Sequence, residues 1–290
     1  MTLTPLEAHV LCGALVALDL AARAWRIQWV VHGLGHRLSF YDAFAVNAIG
    51  DAACALTPLR IGGEPARLGV MLRSRVPAVA AFVAISLEVL IAWPVVIVAA
   101  GWLIWRYAPE WWATAGPRLG NAVVQSWPVL LAIVLLSIAV YIHTRRVAAP
   151  AVHQVRRPIR RVLVYWRRIP TGILLATIPL SFLNLATRVA ILPVLALTLP
   201  HPPPLGPTAV GSFALLYSQL VLPTPSGAGA VDLGFVSGAA GELGREEAWM
   251  LFLWRFYTNG VGILLGVALA IRLYGWRAVT ALARRRRDRH

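Results

Sequence analysis

"LTPLRIGGEPARLG", residues 56–69, interrupts an apolar run that begins near residue 40 and reads as half of a membrane helix. Within a few positions it brings Pro58, Gly62, Gly63 and Pro65 together with Arg60, Glu64 and Arg67. Proline and adjacent glycines break a helix, and three charges follow where the chain should still lie in lipid. Broken backbone at membrane depth is tolerated only where it is buried in protein or lines a wet cavity. The segment 39–75 therefore reads as a helical hairpin that enters the membrane and leaves by the side from which it came.

The composition supports a membrane setting. The chain of 290 residues is 59% hydrophobic and 13% charged, with mean hydropathy +0.69, outside the range of soluble domains. Its net charge is +15, and all 27 basic residues are arginine. These arginines cluster in short stretches between apolar runs, as membrane topology requires, and form no soluble basic domain for nucleic acid. Cys12 and Cys54 are too few for a disulfide framework and lack metal-ligand spacing. The first arginines, Arg23 and Arg26, follow the first apolar run, which reads as a transmembrane helix and not a cleaved signal.

Apolar runs at about 6–31, 79–105, 127–142, 169–199 and 248–271 read as spans. The loop 145–168 holds eight arginines and no acid, and the tail 272–290 holds seven arginines and one aspartate; both are expected in the cytoplasm. The segment 107–126, with Trp111 and Trp112 as interfacial anchors, and "LPHPPPLGP", 199–207, are expected outside. The N-terminus is then outside and the C-terminus inside. Residues 206–247 must begin and end outside, and they break at "LPTPSGAGAVDLG", 222–234, which contains Pro223, Pro225, Gly227, Gly229 and Asp232.

These segments form a pattern of inverted repeats in one membrane domain, 1–290. Residues 6–105 are the first repeat, 127–168 the linker helix with its basic loop, 169–271 the second repeat, and 272–290 a basic tail. The expected fold is all-α: a polytopic membrane protein with two re-entrant hairpins and about six full spans. Paired broken segments in corresponding positions point to a transporter's midplane site.

At the two breaks the chain resembles the lysylphosphatidylglycerol synthase transmembrane family, a flippase-like membrane domain. An early signature of the type P-x-R-x-G-E-x-x-R is matched by Pro58, Arg60, Gly62, Gly63, Glu64 and Arg67, with one extra residue before Glu64 and a displaced arginine. A late signature, P-x-P-G-G-x-G-x-x-E, is matched by Pro223, Pro225, Gly227, Gly229 and Asp232. There Ala228 stands for the second glycine of the pair and Asp232 for the glutamate. Arg255 and Tyr257 lie on the helix that follows. The resemblance covers nearly the whole chain. It implies a multi-pass protein of the prokaryotic inner membrane that moves lipids or lipid-linked sugars between leaflets. Synthase members carry a further soluble domain that aminoacylates lipid; no such domain follows the last span in this sequence.

A charge at the bilayer centre costs roughly 2.5–3.5 kcal/mol, so intramembrane charges face partners or water. Arg60, Arg67 and Arg255 are therefore expected to bind an anionic phosphate head group, with Glu64 and Asp232 balancing them and Tyr257 at the same site. Arg255 has no acid within a helical turn, so its partner is Asp232 or a ligand. Glu88 and Arg188 read equally well as internal ion pairs. The glycine-rich breaks lack a P-loop lysine, but free N–H groups at a half-helix N-terminus suit phosphate. His32 and His36 stand one turn apart with no third ligand near, so no metal or cofactor is expected. The expected function is lipid translocation without catalysis. The rivals are a membrane-embedded enzyme or an accessory subunit for a lipid-linked substrate. The partners expected are membrane lipid, with a synthase or a second copy possible, and no nucleic acid.

Overall fold

The structure, a computed structural model, describes residues 2–57, 60–148, 164–166, 169–221, 230–235 and 248–275, with backbone only over 114–148. Pro58, Pro223, Pro225, Gly227 and Gly229, most of the basic loop 145–168 and most of the tail lie outside the described residues.

The regular structure of the described residues is all helix, with no strand among them. Helix α1 runs Pro5–Gly33, α2 Phe40–Leu56, α3 Gly63–Arg73 and α4 Ala78–Ala148. Then follow α5, Thr171–Ala196, α6, Leu205–Val221, α7, Ala230–Gly234, and α8, Ala248–Arg255, which leads through a π-turn at Phe256–Gly260 into α9, Val261–Tyr274. Local chemistry sets the starts. Thr4 and Glu7 form a reciprocal capping box ahead of Pro5, and Ser39 caps α2 by accepting the Asp42 N–H at 3.0 Å.

Four helices among the described residues are long and apolar enough to cross a membrane: Pro5–Gly33, Ala78–Ala113, Thr171–Ala196 and Trp249–Tyr274. The protein is thus a multi-pass membrane protein, with four candidate spans where the sequence suggested about six. Helices α2 and α6 have 17 residues each, about 26 Å at 1.5 Å per residue, short of a tilted span. The segment 107–126 differs from the sequence expectation of a loop, because α4 continues through it and through 127–142. Continuing the helix bonds most peptide groups within the segment; Pro109 and Pro117 bring no N–H of their own, and each takes the intrahelical donor from the carbonyl four residues before it.

The halves pack reciprocally. Helix α1 lies against α5, α1 against α2, and α5 against α6. Each half then crosses to the other, with α2 seated on α9 and α6 on α4. Small residues bring these crossings close. A Cβ on Gly266 of α9 would stand 2.1 Å from the Ala48 carbonyl oxygen of α2, and one on Gly206 of α6 would stand 2.3 Å from the Tyr107 ring of α4.

Two apolar clusters fill the interior. One gathers the second half of α1 with α2, α3 and the start of α4, through Ile27, Val30, Met71 and Val83. The other gathers the first half of α1 with the end of α5 and α8, through Cys12, Leu20, Leu192 and Trp254. Along α1 the two meet at residues 19–26, where the side chains turn polar.

Candidate functional site

Asp19 is the central residue of the 29-residue α1, and Arg23 and Arg26 continue its face at helical spacing. All three are buried. Asp19 Oδ1 accepts a hydrogen bond from the Asn184 side-chain amide, at the middle of α5. Its Oδ2 lies 3.0 Å from Arg23 Nη2 and 3.5 Å from Arg188 Nε. Arg23 Nη1 donates to Asp51 Oδ2 of α2 at 2.6 Å. Arg26 donates through Nε to Glu88 Oε1 of α4 at 3.1 Å and through Nη1 to Ser181 Oγ of α5 at 3.1 Å. Glu88 Oε2 lies 3.0 Å from Arg67 Nη2 of α3, which also donates to the Asn47 side-chain oxygen of α2. Two ion clusters, Asp19–Arg23–Asp51–Arg188 and Arg26–Glu88–Arg67, thus lie side by side along α1 between the two apolar clusters and together join five helices. Pairing is what makes such burial tolerable, because a lone ion there would stay uncompensated.

The break in the first hairpin is built to deliver Arg67. Thr57 donates its hydroxyl to the Ala53 carbonyl at 2.7 Å and accepts the Gly62 N–H at 2.9 Å, closing the turn. Arg60 takes the left-handed conformation, φ +57°, uncommon for a side chain with a Cβ. Its carbonyl accepts from Cys54 Sγ at 3.5 Å. Glycine is required at 63, where a Cβ would meet Cys54 Sγ at 2.0 Å, and at 50, where it would meet Arg67 Cγ at 2.5 Å. The Arg67 stem passes over the bare Gly50 backbone to reach Asn47 and Glu88.

The structure separates the residues the sequence had grouped. Arg67 is in the network, whereas Glu64 lies 3.9 Å from it with its side chain 56% exposed. Arg60 enters none of the ion pairs among the described residues. Arg255 has Asp232 as its partner, Nε to Oδ1 at 2.7 Å, the first of the two alternatives. The Tyr257 hydroxyl bonds His9 Nδ1 at 2.9 Å, toward the start of α1 and not toward the arginines. Glu88 and Arg188 are internally paired. His32 Nε2 lies 3.2 Å from the Leu38 carbonyl, and His36 contacts the Tyr165 hydroxyl at 3.4 Å.

Sequence reasoning passed over Asp51, Asn47, Ser181 and Asn184, and read Asp19, Arg23 and Arg26 only as part of a span. The signal was present as polar spacing inside apolar runs: 19, 23 and 26; 47 and 51; 181, 184 and 188. Each set lies on one helix face.

The family model described as "Lysylphosphatidylglycerol synthase TM region" matches residues 2–266. No curated protein and no solved structure matches the chain.

Proposed function

The chain belongs to the lysylphosphatidylglycerol synthase TM region family, and we propose that it moves an anionic lipid head group between leaflets without altering it chemically. The observation that carries this reading is a surplus cation in the buried network. Arg23, Arg26, Arg67 and Arg188, four guanidiniums, face three carboxylates, the buried Asp19 and Glu88 and the half-buried Asp51. Glu64 is too far from Arg67 and too exposed to offset a full charge.

Arg188 is the guanidinium available to a ligand. Its side chain is 27% exposed, its contact with Asp19 is 3.5 Å, longer than those of Arg23, Arg26 and Arg67 with Asp19, Asp51 and Glu88, and its Nη2 spends one bond on the Thr258 carbonyl at 3.3 Å. A planar, permanently charged fork suits two phosphate oxygens. In the family setting the anion is a phospholipid, glycolipid or lipid-linked sugar phosphate whose chains stay in the bilayer.

On this reading α2–α3 and α6–α7 are re-entrant hairpins entering from the cytoplasmic and outer sides, within inverted repeats 6–105 and 169–271 and about six spans. The N-terminus is outside and the C-terminus inside a prokaryotic cell membrane. Reciprocal packing of α2 on α9 and α6 on α4 supports the repeats. Arg67 at one hairpin and Arg255 at the other would pass the phosphate to and from Arg188, with Glu64 and Asp232 as movable countercharges. A synthase or a second copy is the expected partner.

Arg188→Gln tests the reading directly, since it leaves three arginines against three carboxylates. It should incorporate into liposomes as well as the parent. It should lower the initial exchange rate of a tail-labelled anionic phospholipid by about tenfold or more, the loss of a charge-assisted hydrogen bond. An unchanged rate would remove the surplus charge from the mechanism. A chemically altered lipid would favour the enzyme rival.

A further inference from the structure

We infer a second, uncharged subsite beside the arginine network, built on Gln219, Asn259 and Trp254, that takes the ester carbonyl of the transported lipid. The inference rests on the translocation reading above. The last span leaves the α-helical ladder at Phe256–Gly260, where it forms a π-turn. Such turns are rare and concentrate at functional sites. This one ties two groups together. The Thr258 carbonyl accepts from Arg188, and Asn259 Nδ2 lies 3.4 Å from Thr258 Oγ1 and 3.4 Å from Gln219 Oε1 of α6. Gln219 is thereby linked through Asn259 and Thr258 to Arg188, the guanidinium assigned to the phosphate.

Gln219 is 2% exposed, yet its Nε2 has no hydrogen-bond partner among the described residues. Trp254, one turn before Thr258 on the same helix face and fully buried, has an equally unpartnered Nε1. Leu215, one turn from Gln219 on α6, belongs to the same apolar cluster as Trp254. A buried donor left without an acceptor is costly, because the loss of its water is not offset. The indole can only donate, so the absent group is an acceptor.

The surroundings say which acceptor. Leu195, Leu215, Phe235 and Met250 make the cluster apolar. An oxygen that carries no charge and is attached to hydrocarbon fits there, and a second anion does not. The ester carbonyls of a glycerolipid have that chemistry. They also lie a few bonds from the phosphate assigned to Arg188, as the short link from Gln219 to Arg188 requires.

The test compares diester and diether forms of one tail-labelled phosphatidic acid, a probe whose head group is the phosphate alone. The measurement is initial leaflet exchange in liposomes containing the full chain. The parent should exchange the diester about three- to tenfold faster, the range expected from one or two hydrogen bonds. Gln219→Met, close in size and without the amide, should bring the ratio near one. Asn259→Leu should act in the same direction, and it gives the readout should Gln219→Met not incorporate. Equal rates for the two lipids in the parent, or a ratio unchanged by these substitutions, would overturn the subsite and leave translocation standing. Exchange of neither lipid would overturn translocation and the subsite with it.

Discussion

The α2–α3 pair is anchored on a buried carboxylate, whereas the carboxylate of α7 is open to its surroundings. Glu88 is 2% exposed and holds both Arg26 and Arg67, while Asp232 has a side chain 41% exposed and pairs with Arg255. The packing plan is shared, since each hairpin arm crosses onto the other half's second span. The chemistry at the crossing is not. In the first half the interior polar groups are ions bound several times over. In the second half, beyond the Ser181, Asn184 and Arg188 of α5 that join the ions of the first, they are the amides of Gln219 and Asn259 and one ion pair open to its surroundings. The difference assigns the two regions different work. Multiply bound ions hold helices in place, and a group that is accessible or short of partners can exchange its contacts for those of a ligand without unfolding the protein.

The largest effect should come from breaking the closed side. Glu88→Ala strands two buried guanidiniums, so it should cost about 3–5 kcal/mol and appear as a lower melting temperature in detergent and poor recovery of monodisperse protein. Normal melting would mean that Glu88 is not the anchor, and the contrast between halves would fall. A smaller loss, about 1–3 kcal/mol, should follow Gly266→Leu, whose side chain would force α9 away from the Ala48 backbone. Gly206→Leu should cost less, because it meets the Tyr107 ring, which can turn aside. Equal losses would show both crossings to be equally rigid. The smallest stability effect belongs to the open side. Asp232→Asn should change stability by no more than about 1 kcal/mol, the range of exposed pairs, while slowing lipid exchange. Glu64→Gln should behave alike. Loss of folding in either variant would place these carboxylates with Glu88 as structural groups.

Much of this arrangement was legible before any coordinates. The break after α2 and the four long apolar runs follow from residue type and spacing. So did the need of Arg255 for a distant partner, because no acid lies within a turn of it. The loop expected over 107–126 was not legible as helix. Its prolines and tryptophans signal an interface as readily as a helix that continues past one. Asp51 was missed because a single aspartate in an alanine-rich run looks like a helix-end residue until Arg23 is placed 2.6 Å from it.

Composition and hydropathy by themselves determined that this is a helical membrane protein, since transfer free energy depends on residue type and run length alone. The tertiary structure decided which charges are fastened and which are available. Asp19, Asp51, Glu64, Glu88 and Asp232 are alike as carboxylates in or beside apolar sequence. What distinguishes them is how many guanidiniums from other helices come within reach, and Coulomb energy and desolvation depend on those distances, which no local spacing encodes.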